Sequence, residues 1–165
     1  MPTKQQLEAM KTYAGIMEEV KIRLSSVQMA ASGAFGVPSP LVKEYGFLQI
    51  RMTCELIALG CLVAHGDLTA TQSRRFQTEY SAGKIMAQLS ELHPGFFPRP
   101  TVPVRIPGGF HLEDAPPGCM TKDEFIALYG KCGEHLHRGS IKKADAAANA
   151  GRETFSRGCW QHREA

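Results

Sequence analysis

Two short stretches concentrate the residue types that do chemistry. "YGKCGEHLHRGS", residues 129–140, puts Tyr129, Lys131, Cys132, Glu134, His135 and His137 within nine positions, among three glycines. "FLQIRMTCELIALGCLVAHG", residues 47–66, sets Arg51 and Glu55 one helical turn apart inside an apolar run. An imidazole exchanges protons near neutral pH and serves as a general acid or base. A guanidinium presents a rigid fork of donors to phosphates and carboxylates. Cys132, His135 and His137 are also zinc-ligand types.

Helical geometry sorts these residues. At 100° per residue, Ile126, Gly130, Gly133 and His137 share one face. An interior glycine costs about 1 kcal/mol relative to alanine. Two on the strip leading to His137 predict the close approach of another helix, with His137 buried against it. His135 falls on another face and is expected toward solvent, beside Lys131 and Leu128. On a regular helix Cys132, His135 and His137 point in three directions, so a metal would need distant partners such as His111 and Cys119. Paired ligand spacing is missing from the sequence. We therefore expect no metal and no cofactor.

On the earlier stretch, Glu44, Leu48, Arg51, Glu55, Leu62 and His65 share one side of a helix, and Arg51 and Glu55 can pair. Two readings stand. The pair is a salt bridge in a helix–helix seam, or it holds a histidine, a phosphate or a carboxylate. The second draws on the desolvation that a buried ion pair costs and two leucines do not.

Apolar periodicity predicts the elements that position these groups. Leu7, Met10, Ala14, Met17, Leu24, Val27 and Ala31 make one stripe over 3–32, and Thr3 with Gln6 has capping-box spacing. A second helix is expected from Ser39, as cap, and Pro40 to Ala64. Its stripe is Tyr45, Leu48, Met52, Leu56, Leu59 and Val63, and it is apolar nearly all round, as a central helix would be. A third is expected over 70–92, opened by "TATQ", with Phe76, Tyr80, Ile85, Leu89 and Leu92 facing the core. Residues 94–120 carry seven prolines, which exclude a helix. There "TVPVRI" and "FHLE" flank "PGG" as a short irregular hairpin, with Pro103 confining its strand to an edge. "TKDE" at 121–124 caps the last helix, whose core stripe is Phe125, Leu128, Tyr129, Cys132 and Leu136, and Gly139 is its expected stop.

The chain has 165 residues, 43% apolar and 21% charged, with a net charge of +3. That fits one domain with an apolar core of its own. The division expected is a helical domain over 1–141 and an Ala-rich, basic tail over 142–165, weakly anchored. So abrupt a compositional change is also what a truncated or replaced terminus leaves. Five cysteines without regular spacing read as reduced thiols in the cytoplasm, Cys54 and Cys61 as core filler. Gln49, Arg51, Thr53 and Glu55 interrupt the most apolar stretch, so no membrane partner is expected. Arg74, Arg75 and Lys84, and tail residues Lys142, Lys143, Arg152, Arg157, Arg163 and Trp160, read as solvated surface rather than a DNA footprint.

The 47–66 stretch resembles the helix of bacterial HEPN-like proteins that carries an Arg and, one turn later, a Glu. "DEFIALYGKCGEHLHRGS" is similar to their later helix, with a Tyr and then a His followed by a small residue. The resemblance spans about 40–141. It implies an all-α fold, frequent dimerisation, and RNA as substrate or ligand in defence or toxin-type systems. It assigns a metal-independent ribonuclease site to Arg51, Glu55 and His137, with Tyr129 in support. Catalytic members carry an Arg a few residues before the His; here the nearest basic residue ahead of His137 is Lys131. The expected architecture is thus a four-helix core bundle with a Pro/Gly-rich insertion. The expected function is RNA binding or cleavage. The alternative is a non-catalytic interaction or dimerisation module, with a second copy or another helical protein as partner and Arg51, Glu55 and His137 as a structural polar seam.

Overall fold

The computed structural model describes residues 1–66, 71, 73–116 and 118–137. Five helices and one hairpin follow in order: α1 Lys4–Ala31, α2 Ser39–Ala64, α3 Arg74–Gln77, α4 Ala82–Leu92, β1 Thr101–Ile106, β2 Gly109–Asp114 and α5 Lys122–Leu136. The helical expectation holds for the bulk of these residues, and the insertion supplies a two-stranded antiparallel sheet. The Ala-rich tail expected over 142–165 and its basic residues lie outside the described residues, as does Gly139.

Two of the expected caps form in full. Thr3 accepts from the Gln6 amide at 3.2 Å while Gln6 accepts from the Thr3 amide at 2.8 Å. Thr121 and Glu124 repeat the exchange at the start of α5, at 3.3 and 2.8 Å. Each box satisfies amides that a helix start leaves unpaired. Ser39 differs from expectation. It is the first residue of α2, Pro38 occupies the cap position, and no side chain caps the end.

The third helix is not continuous. Ser73 opens α3 without a side-chain bond, and the chain leaves helical geometry before Ala82. Glu79 accounts for the break. Its carboxylate accepts from the amides of Tyr80 and Ser81 at 3.1 and 2.9 Å, replacing the carbonyls that a helix would offer. These bonds hold the Glu79 carboxyl below its ordinary range, helped by Lys84. Tyr80, expected in the core, is 77% exposed as a result.

The core forms around α2. Cys54, Ala58 and Cys61 of α2 meet Phe76 of the short α3, Ile85, Met86 and Leu89 of α4, Phe125 of α5, and Phe96 from the connection after α4. Helix α1 packs on α2 and buries only Ala30 completely. The expected four-helix core is therefore three helices, with α1 laid along one of them. Gly60 permits that contact: a Cβ there would meet the Met17 methyl at 3.0 Å. By length and composition α2 also passes as a membrane-crossing helix. Here its sides carry α1, α4 and α5, and charged residues lie mid-helix.

Burial sets the reactivity of the core thiols. It pushes Cys54 up to about 12, with Cys132 and Glu55 adding to the effect, and Cys61 up to about 11. Unfolded thiols ionise near about pH 8.5. A folded value above the unfolded one adds stability that is whole below the unfolded value and lost as pH climbs toward the folded one. Thermal midpoints should therefore fall steadily between about pH 8.5 and 11, and less steeply in Cys54→Ala. In the native chain at neutral pH, alkylation read by peptide mapping should modify exposed Cys119 well before Cys54, Cys61 and Cys132.

Candidate functional site

Helix α5 is amphipathic because Phe125, Leu128 and Cys132 recur at three- and four-residue steps, and it lays that face on α2. Tyr129 borders the same stripe. The packing delivers its hydroxyl between Arg51 and Glu55. Arg51 Nη2 donates to Tyr129 Oη at 2.9 Å, and Tyr129 Oη donates to Glu55 Oε1 at 3.0 Å. Arg51 Nε lies 3.5 Å from the same Glu55 oxygen, one turn along α2. The guanidinium also stacks on the phenol, its carbon 4.3 Å from the ring centroid. The pairing of Arg51 with Glu55 is thus closed into a three-membered junction by a residue 74 positions after Glu55.

Gly133 completes it. A Cβ at this position would stand 2.7 Å from Arg51 Nη1, so the missing side chain is the space that the guanidinium occupies. Gly130, on the same strip, faces open space with nothing within 4 Å. One glycine makes room for a side chain of α2, and the other makes room for nothing. Ile126 is 38% exposed, so of this strip Gly133 alone packs against α2 among the described residues.

Arg51 and Glu55 keep 29% and 20% of their side-chain surface exposed. Partial burial raises the Tyr129 hydroxyl above its ordinary range. The Glu55 charge adds to this, while Ser81 hydrogen bonding and the Arg51 charge oppose it. Tyr129 is therefore a neutral donor and acceptor that joins a cation to an anion.

His137 stands apart. It is the C-cap of α5, in extended geometry at φ −86° and ψ 121°, and its amide closes on the Gly133 carbonyl at 3.1 Å. The helix ends before it, so the wheel that aligned it with Gly130 and Gly133 does not apply at its position. Its ring is exposed, and no hydrogen bond from it to Arg51, Glu55 or any other described residue is formed. His135, expected toward solvent, is exposed, and its ring also stacks on Phe47 of α2, rings parallel within 10° and centroids 4.0 Å apart. Its spacing of three from Cys132 carries that signal, since i and i+3 share a helix face. Cys132 is fully buried, as its stripe implies.

Among the described residues no group of three or more His, Cys, Asp or Glu side chains converges. A recess of about 770 Å³ opens between the start of α1 and the end of α2, lined by Thr3, Gln6, Met10, Tyr13 and Val63 among others. None of Arg51, Glu55, Tyr129 or His137 borders it, and among the described residues its walls hold no carboxylate, imidazole or cation, so size alone does not make it a reactive site.

The two glycines separate packing from propensity. Gly130→Ala should stabilise the chain by about 1 kcal/mol, the gain in helix propensity. Gly133→Ala should lose that gain or reverse it, because the methyl displaces Arg51 from Tyr129. In an Arg51→Ala background Gly133→Ala should regain it, giving a coupling of about 1 kcal/mol in a double-mutant cycle read by urea unfolding. Additive effects would show that Gly133 and Arg51 do not meet.

Comparison of the chain with family models, with curated proteins and with solved structures finds no match to any of them.

Proposed function

We propose that the chain is a non-catalytic helical interaction module, with Arg51, Tyr129 and Glu55 as the latch that fixes α5 on α2. One observation carries the reading. The Arg51 guanidinium is spent on protein partners, bonded to Tyr129 and stacked on its ring beside Glu55, while His137 sits at an exposed helix end. A general base must reach the proton that it moves, and charge stabilisation needs donors aimed at the reacting group. The latch aims its donors inward.

The surface supports the same reading. Met10, Ile22, Leu24 and Met29 of α1 are exposed, as are Leu41 and Leu48 of α2. Exposed apolar side chains in such number on a helix pair are what a partner helix covers.

The alternative is the RNA-directed reading that the HEPN-like resemblance implies. Its support is the part of Arg51 that remains exposed, a guanidinium able to meet a phosphate, with His137 at the surface as general acid or base.

Incubation with total RNA separates the two. Wild type and His137→Ala should leave RNA equally intact, and the exposed substitution should not disturb folding, its effect staying within about 0.5 kcal/mol. Cleavage by wild type that is lost in His137→Ala would overturn the module reading in favour of the ribonuclease. The latch is tested separately. Tyr129→Phe keeps the ring under Arg51 and removes the hydroxyl, and should cost about 1–2 kcal/mol, the range for a half-exposed bond to charged groups.

A further inference from the structure

The hairpin extends the chain beyond its core. Its strands pair with each other, in the register Thr101↔Asp114 to Ile106↔Gly109, and eleven of its twelve strand residues are exposed, Val104 alone being half-buried. Pro107, with its fixed φ, and Gly108, at φ +89°, match positions i+1 and i+2 of a type II turn. An isolated two-stranded hairpin is marginal in water. This one also exposes Phe110 by 69% and Leu112 by 62%, with Val102 and Ile106 at 43% and 46%.

Its two edges are not equivalent. The Ala115 amide donates to the Pro100 carbonyl at 2.9 Å, which sets the phase of the ladder. Hydrogen-bonded pairs alternate with open ones in an antiparallel ladder. Val102, Val104 and Ile106 therefore bond inward to Glu113, His111 and Gly109. Thr101, Pro103 and Arg105 turn their backbone groups outward on β1, and Phe110, Leu112 and Asp114 do so on β2. Pro103 lacks the amide at the middle of the β1 edge, so that edge is blocked. The β2 edge keeps all three donors and acceptors, flanked by the most exposed apolar side chains of the hairpin.

We infer that the β2 edge is a docking site for β2 of a second copy of this chain, joining two hairpins into one four-stranded antiparallel sheet. The sequence of β2 is self-complementary about Leu112. A two-fold axis through Leu112 sets Leu112 against the second copy's Leu112 and Phe110 against Asp114. On the other face it sets His111 against Glu113, twice. Each of those pairs joins an imidazole N–H to a carboxylate, and opposite pairs across strands are stabilising. Six further backbone hydrogen bonds become available at the edge, and no side chain of like charge meets its own kind.

Sedimentation of the full chain over a range of concentrations tests this. Wild type should show a monomer–dimer equilibrium. Leu112→Pro removes one outward amide, as Pro103 does on β1, and leaves the β1–β2 bonds in place. It should abolish the dimer while far-UV circular dichroism and the thermal midpoint stay unchanged. His111→Glu should weaken the dimer by about tenfold, since two attractive pairs become repulsive. His111→Glu combined with Glu113→Lys should restore it, because the signs are exchanged. A wild type that remains monomeric overturns the proposal, as does a dimer untouched by Leu112→Pro, which would place the contact on the helices. Equal dimer constants for His111→Glu and the double variant overturn the register. Binding of an unrelated extended peptide by a monomeric wild type also counts against a second copy.

Discussion

The placement of α5 on α2 is the contact on which the rest of the structure depends. Helix α2 packs against α1, α4 and α5 alike, and α5 touches α4 only lightly. The apolar half of the α2–α5 seam is Cys54, Ala58 and Cys132, small and well buried, with the Phe125 ring at its edge. Small thiols and a methyl supply little directional information, since apolar burial is proportional to area and indifferent to angle. The junction of Arg51, Tyr129 and Glu55 adds what they lack, with fixed donor and acceptor directions at one end of the seam. Half-burial sets its worth. Solvent screens the ion pair, and its desolvation cost stays modest, so the junction acts mainly on register rather than on total stability.

Much of this was legible in the sequence where one local rule acted alone. The Thr3 and Thr121 capping boxes, the boundaries of α1, the end of α2, the Cys132 stripe and the edge position of Pro103 all follow from short-range spacing. Spacing failed where a side chain competed with the backbone. Glu79 captured two amides and ended a helix that periodicity carried through Tyr80 and on to Leu92. It failed again at His137, because a wheel has no knowledge of where its helix ends. Two residues of error in the end of α5 moved that histidine from a helix face to a cap.

The site divides along the same line. Arg51 with Glu55 is an i,i+4 relation and could be read directly. Tyr129 was named from a family likeness, and no spacing rule predicts that its hydroxyl would stand between two residues of α2. The glycine strip was read as space for a backbone, whereas Gly133 makes space for one guanidinium. Both outcomes are tertiary: they depend on the rotation of α5 about its own axis, which the sequence encodes only through the whole set of packed side chains.

Helix α1 has a different standing from the others. It packs chiefly on α2, buries one alanine fully and ties itself down with an Arg23–Gln49 bond at 2.8 Å. Its opening would expose little that the core of α2, α4 and α5 requires. Amide protons of α1 should therefore exchange with solvent at a free energy well below that of global unfolding, while those of α2 and α4 wait for the whole core to open. Among the described helices the longest contributes least to the central core, and a partner laid along it would cover the apolar side chains it leaves exposed.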